Sequence, residues 1–314
     1  MSNLMTSQQF PDLLRIGIRK VFLNEYAAYP EFYSKIFNVE SSDRAYEEEL
    51  IMAGFGLVPE WNSDGQELPT DKILTGERVL YVHKDYGMMW SVSKRLLRED
   101  MYGKVGKELV KEAVRSMKTT IEVVAHSVIN NGFGGDRPLF SNNQKLIGGG
   151  TFSNRITSAL TDTALQEALT KFRRWVNHRG QPIVLEPKVL LVPPELEWMA
   201  KTLLQSTTHP NMAYASGSSG AVQGDGSRLV SNGVVNVLRS AVDTLIVDPY
   251  LVDHNNWFLM TDKTQHKLRF FWREKPTTEL NERDFRTKGV MHSITCSFSV
   301  GFTDWFGVLG SEVS

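Results

Sequence analysis

Apolar residues recur every three or four positions between Lys104 and Asn130, which is the spacing of one buried face on an α-helix. At about 1.5 Å per residue, a helix of this length would extend for roughly 40 Å. Because the mean helix of a globular protein has only about 11–12 residues, we predict that this one is a structural support. Its predicted buried face consists of Val105, Leu109, Ala113, Met117, Ile121, Val124 and Val128.

Charged residues flank this apolar stripe. Lys118 and Glu122 are one helical turn apart, as are Lys104 and Glu108, and both pairs are predicted to form on the outer side of the helix. His126 also falls off the stripe, so we predict that it lies at the surface.

The clearest strand pattern lies between Val290 and Phe302, where apolar residues alternate with serine and threonine. This alternation predicts a strand with one buried face. Such a face would pack well against the apolar side of the long helix. The apolar set is Val290, Ile294, Cys296, Phe298, Val300 and Phe302.

The segment from Pro11 to Glu40 is dense in apolar residues and is interrupted at Tyr29-Pro30, where a helix must break. It is too apolar to stand free in solvent. From the residues alone two alternatives stay open. The segment packs on the core of its own chain, or it packs against a neighbouring subunit.

A turn-rich stretch with few core residues extends from Tyr46 to Val92. Its middle, Pro59 to Gly76, mixes proline and glycine with polar residues and has a strong turn signal at Asn62-Ser63-Asp64-Gly65. One interpretation is a floppy surface insertion. Long excursions of this kind tend to be functional, however, and Trp61 favours a contact with another group.

Two short strand patterns follow, at Arg78 to His83 and at Met88 to Val92. The residues between them, Lys84-Asp85-Tyr86-Gly87, have the composition of a turn. A hairpin is therefore predicted here. Farther along, helix and strand patterns alternate from Thr151 to Thr261, with a helix predicted over Ala159 to Val176.

Composition is typical of a folded soluble protein, with 314 residues, 41% hydrophobic and 23% charged. The 35 basic and 36 acidic residues leave a net charge of −1, so no global positive field would attract nucleic acid. Met1 to Phe10 lacks the apolar core of a signal peptide, and no apolar run approaches the roughly 18 residues that span a bilayer. We expect a soluble protein of a reducing cytoplasm, with no membrane partner.

Motifs for catalysis or metal binding are absent from the sequence. The seven histidines include no pair at the i, i+4 spacing of a helical metal site, and neither HExxH nor GxSxG occurs. Cys296, the single cysteine, alternates with apolar residues and is predicted to be an inert core thiol. We therefore predict no catalytic site, no metal and no cofactor, and a protein that is not an enzyme.

Five stretches carry a resemblance to a known family: Gly87 to Asp100, Asp136 to Ser141, Lys188 to Trp198, Leu245 to Met260 and Gly301 to Trp305. Their order and spacing extend over nearly the whole chain. In both respects the sequence resembles a tailed-phage major capsid protein, and it is most similar to the Mu-like major head subunit group.

The resemblance implies an α+β fold, the tailed-phage major capsid fold. In that fold an N-terminal arm reaches a neighbouring subunit, and an extended loop lies over an adjacent one. The implied segments are the arm at 1–45, the extended loop with flanking strands at 46–92, a peripheral domain with the spine helix at 93–150, an axial domain at 151–261 and a return to the peripheral domain at 262–314.

The resemblance also implies a major head protein that self-assembles, through pentamers and hexamers, into an icosahedral shell around double-stranded DNA. The expected location is the virion, after assembly in the host cytoplasm. Expected partners are other copies of the chain, a separate scaffolding protein, a protease, a portal protein and weakly, non-specifically held DNA. The expected assembly contacts are Phe22, Tyr26, Trp61, Lys72 and Arg78.

Two other functions stay open at this point. An encapsulin-like compartment would have the same fold and would enclose protein cargo instead of DNA. A soluble α/β enzyme would have a site that the sequence does not reveal. The contents of purified shells separate the first alternative, and a small monodisperse oligomer that forms no shells would favour the second.

Overall fold

A computed structural model describes residues 20–61, 64–93, 95, 104–207, 236–281 and 290–313. The chain divides into two compact units. The first contains the described parts of Met1–Glu49, Val79–Val128 and Leu268–Gly301, and the second those of Leu50–Arg78, Ile129–Lys267 and Phe302–Ser314. The five segments implied by the resemblance are a finer division and stay predictions. The first 19 residues of the predicted arm lie outside the described residues.

Helices and strands are mixed along the chain. The α-helical segments are residues 20–28, Tyr33–Ile36, Lys104–Asn130 (the spine helix), Asp162–Arg173 and Glu197–Gln205, and short 3-10 helices lie at Pro194–Leu196 and Val237–Ser240. The strands are β1 (Asn38–Ser41), β2 (Tyr46–Ala53), β3 (Leu74–Val82), β4 (Lys84–Val92), β5 (Gln144–Lys145), β6 (Thr151–Phe152), β7 (Arg155–Ile156), β8 (Val189–Val192), β9 (Thr244–Val247), β10 (Trp257–Met260), β11 (Leu268–Asn281), β12 (Val290–Phe302) and β13 (Val308–Ser311). None of the helices in the described part of the chain has the length and apolar character needed to cross a bilayer.

A four-stranded sheet in the order β1-β11-β12-β4 forms the first unit together with the spine helix. The strand predicted at Val290–Phe302 is confirmed as β12 and lies inside this sheet. Its Cys296 Sγ lies 3.2 Å from Met117 Sδ of the spine helix. The predicted packing of this strand on the long helix is therefore confirmed.

The predicted hairpin between Arg78 and Val92 is wrong. Lys84 to Gly87 is part of β4 and pairs with β12 from Phe298 to Thr295, while β3 pairs with β2. A Cβ at Gly87 would lie 3.1 Å from Thr295 Cγ2, so the glycine here permits two strands to approach closely. The sequence predicted a turn because glycine is common in turns, whereas Gly87 is used here inside a strand.

The spine helix begins and ends where the sequence predicted, but its buried face is rotated from the predicted one. Ala113, Met117 and Ile121 are buried as expected, whereas Leu109 is exposed and Val124 is only partly covered. Val105 falls outside the described side chains. The buried apolar residues are Val110, Ala113, Val114, Met117, Ile121, Ala125 and Ile129.

Three polar residues also lie on the buried face of the spine helix, so the prediction that they lie at its surface is wrong. Lys118, Glu122 and His126 follow one another at four-residue spacing and are 1%, 0% and 0% exposed. The Glu122 carboxylate accepts hydrogen bonds from the backbone N–H groups of Phe32, at 2.8 Å, and Tyr33, at 3.0 Å. His126 Nδ1 lies 2.6 Å from the backbone oxygen of Glu122, so it donates to that carbonyl. Apolar periodicity could not reveal these partners, because they come from a distant segment.

Lys118 is the second attachment point of that segment. Its ammonium pairs with the Glu31 carboxylate and lies 3.5 Å from the centroid of the Tyr26 ring. The cation thus meets an anion and an aromatic face inside the unit, and both interactions are stronger there than in water. Three consecutive residues, Glu31 to Tyr33, are therefore held by two turns of the spine helix.

For the segment Pro11 to Glu40, the described part packs on its own chain. The helical stretch stops before Tyr29-Pro30, as predicted, and a short helix at Tyr33–Ile36 follows. Tyr33 packs against Phe270 with ring centroids 4.6 Å apart. Next along the chain, β1 pairs in parallel with β11, Asn38 opposite Arg269. Residues from 31 onward are thus part of the first unit.

The second unit is built on a five-stranded sheet in the order β7-β13-β10-β8-β9. All four residues of β10 and of β13 are buried, as expected for interior strands of a covered sheet. The helix Asp162–Arg173 begins after Thr161, whose hydroxyl caps it by accepting from the Ala164 N–H. The helix predicted over Ala159 to Val176 is thus observed with shorter bounds, and it buries Ala164, Leu165, Ala168, Leu169 and Phe172.

Glu122→Ala is expected to lower the free energy of unfolding by about 3 kcal/mol, because two buried backbone N–H groups lose their acceptor. Glu112 provides the matched control. It lies on the same helix, is largely exposed and pairs with Arg115, so its replacement by alanine should change stability by less than about 1 kcal/mol. Urea unfolding of the unassembled subunit measures both changes. Equal losses in the two variants would contradict the buried anchor.

Cys296 is expected to resist thiol reagents in the folded protein. Its side chain is buried, and burial, with a smaller contribution from the Asp85 charge, raises the pKa of the thiol to about 12. At pH 8 the thiolate fraction should fall on the order of a thousandfold relative to the unfolded chain. Reaction with a chromogenic disulfide reagent, in the presence and absence of urea, measures this. Rapid reaction of the native protein would contradict the burial of this residue.

Candidate functional site

The candidate site is the loop at residues 54–73, which joins β2 to β3. Several of its apolar side chains are exposed. Leu57 and Val58 are 82% and 93% exposed, and Phe55 and Leu68 are also largely uncovered. Several exposed apolar side chains in one loop are typical of an interaction site. The described residues of this loop all belong to the second unit.

The base of the loop is closed by four residues, Gly56, Asp71, Lys72 and Arg179, which we call the loop clasp. The Asp71 carboxylate accepts from the Gly56 N–H at 2.6 Å and from its neighbour's N–H, that of Lys72, at 2.7 Å. Arg179 Nη1 donates to Asp71 Oδ1 at 3.2 Å, and its Nη2 donates to the Lys72 carbonyl. One guanidinium therefore bonds to both a side chain and the backbone of the loop.

Electrostatics of the loop clasp centre on the Asp71 carboxylate. The Gly56 amide is the main cause that holds the pKa of Asp71 below its usual range, and the Lys72 amide and the Arg179 guanidinium act in the same direction. The position of Gly56 is also crowded. A Cβ at this position would lie 3.2 Å from both Arg179 Nη1 and Asp71 Oδ2.

Arg179 is presented by a tight turn. The Asn177 side-chain oxygen accepts from the N–H groups of Arg179, at 2.9 Å, and Gln181, at 3.0 Å. Gly180 has φ +77°, a conformation that favours glycine. The turn is thus fixed by its own hydrogen bonds, and the arginine at its tip starts from a defined position.

The strand that follows the loop, β3, packs on residues beside the same turn. A Cβ at Gly76 of β3 would lie 2.8 Å from Ile147 Cδ1, so strand and side chain are in close contact. The next residue, Gly148, donates its N–H to the His178 carbonyl at 2.8 Å. Both ends of the loop therefore rest on neighbouring parts of one scaffold.

The structure places the predicted arm residues inside the first unit. Phe22 is 3% exposed and stacks on Tyr26, with ring centroids 5.9 Å apart. Tyr26 is half-buried beneath Lys118. The two aromatic residues lie together, as neighbours on one helix, and the exposed apolar residue between them is Leu23.

The predicted loop residues are distributed around the candidate site. Trp61 is partly exposed, and its Nε1 donates to the Gln66 carbonyl at 2.9 Å, which ties the tip of the loop to itself. Lys72 is a member of the loop clasp, through its backbone. Arg78 is exposed on β3. Sequence reasoning missed Asp71 and Arg179, because a pair 108 positions apart leaves no periodic or motif signal.

No group of three metal-binding side chains occurs among the described residues. The exposed apolar side chains, together with the polar groups that hold the loop in place, are typical of a contact surface. This arrangement can bind another protein surface.

A family model for the phage capsid protein matches residues 76–310 of the chain. The chain belongs to the phage capsid protein family. A comparison with curated proteins finds no match to this capsid protein. Capsid proteins are structural, and this one self-assembles into the icosahedral shell of a phage and is located in the virion.

Solved structures with the same fold come from different sources. The capsid of Ralstonia phage GP4 is 8% identical, with 90% of this chain and 91% of that chain covered and a TM-score of 0.56. The capsid of cyanophage P-SCSP1u is 9% identical, with coverage of 91% and 88% and a TM-score of 0.55. A virus-like particle from Pyrococcus furiosus is 11% identical, with coverage of 95% and 99% and a TM-score of 0.54. At these identities the likeness establishes the fold, and the predicted tailed-phage capsid fold is confirmed.

Acidification is expected to open the loop clasp of this capsid protein. Because the folded pKa of Asp71 lies below its unfolded value, closure is fully favoured above the ordinary aspartate pKa of about 3.9 and is lost as the pH falls through the lowered value. The Gly56 amide shift in an NMR titration of the unassembled subunit reports the change. In Asp71→Asn this titration should disappear. A midpoint at or above the ordinary value would contradict the clasp.

Proposed function

We propose that this capsid protein builds the head of a tailed phage around double-stranded DNA, from pentamers and hexamers of itself. The observation that carries this proposal is the extended loop, whose apolar side chains are exposed while its base is closed by the loop clasp. In a lone subunit these side chains face water. In a shell, where every subunit has identical neighbours, the loop lies over the adjacent copy and its apolar surface is covered.

The arm is proposed to make the second overlapping contact. Glu31 to Tyr33 anchor the arm to its own unit, so the proposed contact uses the exposed surface of the helical stretch before them. Phe22 and Tyr26 support that contact from within, and exposed Leu23 stands beside them. Many such contacts, each weak, give a strong shell by multivalency.

The near-zero net charge supports a shell that binds its DNA only weakly. A chain with 35 basic and 36 acidic residues has no excess of cations for tight binding to phosphates. Packaged DNA would meet the shell through weak, non-specific contacts. Within this proposal a separate scaffolding protein, a protease and a portal protein complete the assembly in the host cytoplasm, and the chain belongs to the Mu-like group.

An encapsulin-like compartment is the second candidate, and the likeness to a virus-like particle over 95% of this chain favours it as the alternative. The contents of the shell distinguish the two. Shells purified after nuclease treatment from infected cells, or from induced host cells, should hold protected double-stranded DNA. Shells that hold a folded protein cargo and no DNA would support the compartment instead.

The double variant Leu57→Ser, Val58→Ser is expected to fold normally and to assemble poorly, because both side chains are exposed in the subunit and covered in the shell. Val184→Ser is the matched control, since Val184 is 90% exposed and lies outside the loop. Electron microscopy counts the shells formed, and thermal unfolding checks the subunits. We expect at least about a tenfold loss of shells in the double variant. Normal shells from it would exclude the proposed role of the loop.

A further inference from the structure

A histidine and an aspartate form a buried pair directly behind the turn that presents Arg179. His178 Nε2 lies 2.7 Å from Asp304 Oδ2, and the two residues are 7% and 8% exposed. Both belong to the second unit, as does the loop clasp. The sequence separates them by 126 positions, so neither residue is part of a local motif.

Aromatic rings enclose this pair. The His178 ring meets the edge of Trp305 at a centroid distance of 5.6 Å, and Trp305 also packs on Trp175, 5.8 Å away. His178 Nδ1 and Asp304 Oδ1 have no hydrogen-bond partner within the described part of the chain. The two side chains thus satisfy each other. Separating them would leave two buried polar groups without a hydrogen bond.

The pair constrains the backbone that leads to Arg179. The His178 ring is held by Asp304 on one side, and the His178 carbonyl accepts the Gly148 N–H at 2.8 Å on the other. A Cβ at Gly148 would lie 3.1 Å from Arg179 Cα, so the two backbone segments lie close together here. With its neighbour fixed in two directions, the backbone of Arg179 is held in a defined position.

From this position the Arg179 guanidinium reaches the loop. Arg179 Nη1 lies 3.2 Å from Asp71 Oδ1, while the Asp71 carboxylate also holds the Gly56 amide across the base of the loop. An unbroken series of contacts therefore runs from Asp304 through His178 and Arg179 to both ends of the loop. Because replacing a buried polar pair by apolar groups is often neutral for stability, we assign this pair a role in geometry.

We propose that the His178–Asp304 pair positions Arg179, and that Arg179 thereby sets the direction in which the extended loop presents its apolar surface to a second copy of the chain. His178 and Asp304 are positioning residues, because they act through Arg179. This inference rests on the proposed function of the loop. It adds the residues that determine the orientation of the loop.

Closure of the clasp is measured first, on the unassembled subunit, by hydrogen exchange at the Gly56 and Lys72 amides, which both donate to Asp71. Arg179→Ala should increase exchange at the Gly56 amide about tenfold, the effect of losing one charge-assisted contact. Arg174→Ala, an exposed arginine five positions earlier, is the control and should leave exchange unchanged. Unchanged exchange in Arg179→Ala would overturn the clasp.

The positioning role is tested with His178→Leu, Asp304→Leu together, because replacing both partners of a buried pair by apolar groups is often neutral for stability. The double variant should keep the unfolding midpoint of the native subunit and yet show faster exchange at Gly56. His178→Gln, whose amide can still donate to Asp304, should retain slow exchange. A stable double variant with a closed clasp would overturn the proposal. If the double variant does not fold, His178→Gln compared with His178→Asn, which is too short to reach Asp304, decides it in the same way.

Shell formation by the same variants separates this inference from the function of the loop. Faster exchange with at least about a tenfold loss of shells supports both. Faster exchange with normal shells would overturn the role of the loop in assembly, while the positioning of Arg179 would stand. Slow exchange with lost shells would overturn the positioning proposal and leave the loop as an assembly contact.

Discussion

The first unit depends on the hydrogen bonds that the Glu122 carboxylate accepts. This carboxylate is completely buried, and it accepts from two consecutive backbone N–H groups, those of Phe32 and Tyr33. Because those groups belong to a segment 90 positions away, one side chain fixes where that segment joins the spine helix. β1 follows directly and takes its place beside β11, so the register of the sheet edge depends on the same anchor.

Polar groups hold both of the features that are proposed to contact neighbours. Lys118 and Glu122 fix residues Glu31 to Tyr33 of the predicted arm, and Arg179 contacts the base of the extended loop. Apolar groups have the opposite distribution in the loop, where they remain exposed. A subunit that joins many copies gains from this division of roles. Internal hydrogen bonds set the orientation of the arm and the loop. The apolar surface of the loop is left for the proposed contacts between copies.

Periodicity predicted the regular elements well, since the spine helix and β12 have the bounds expected from the sequence. It failed where a polar residue is buried or a glycine is used for close packing. Lys118, Glu122 and His126 looked like an outer face because their partners lie in another segment. Lys84 to Gly87 looked like a turn because Gly87 is needed beside Thr295. The loop could be predicted from its composition, but the loop clasp could not. Asp71 and Arg179 meet only after the chain between them has folded, and a single sequence contains no local trace of that contact.

Closure of the loop at its base has a consequence for engineering. The turn at Asp64 and Gly65 lies between Gly56 and Asp71, whose hydrogen bond already joins the two ends of the loop. A peptide inserted at this turn would lengthen a loop that is already closed, and the entropy of closure grows only slowly with length. The ends would stay in place while the insert extends outward. The base of this loop should therefore stay closed when its tip is lengthened.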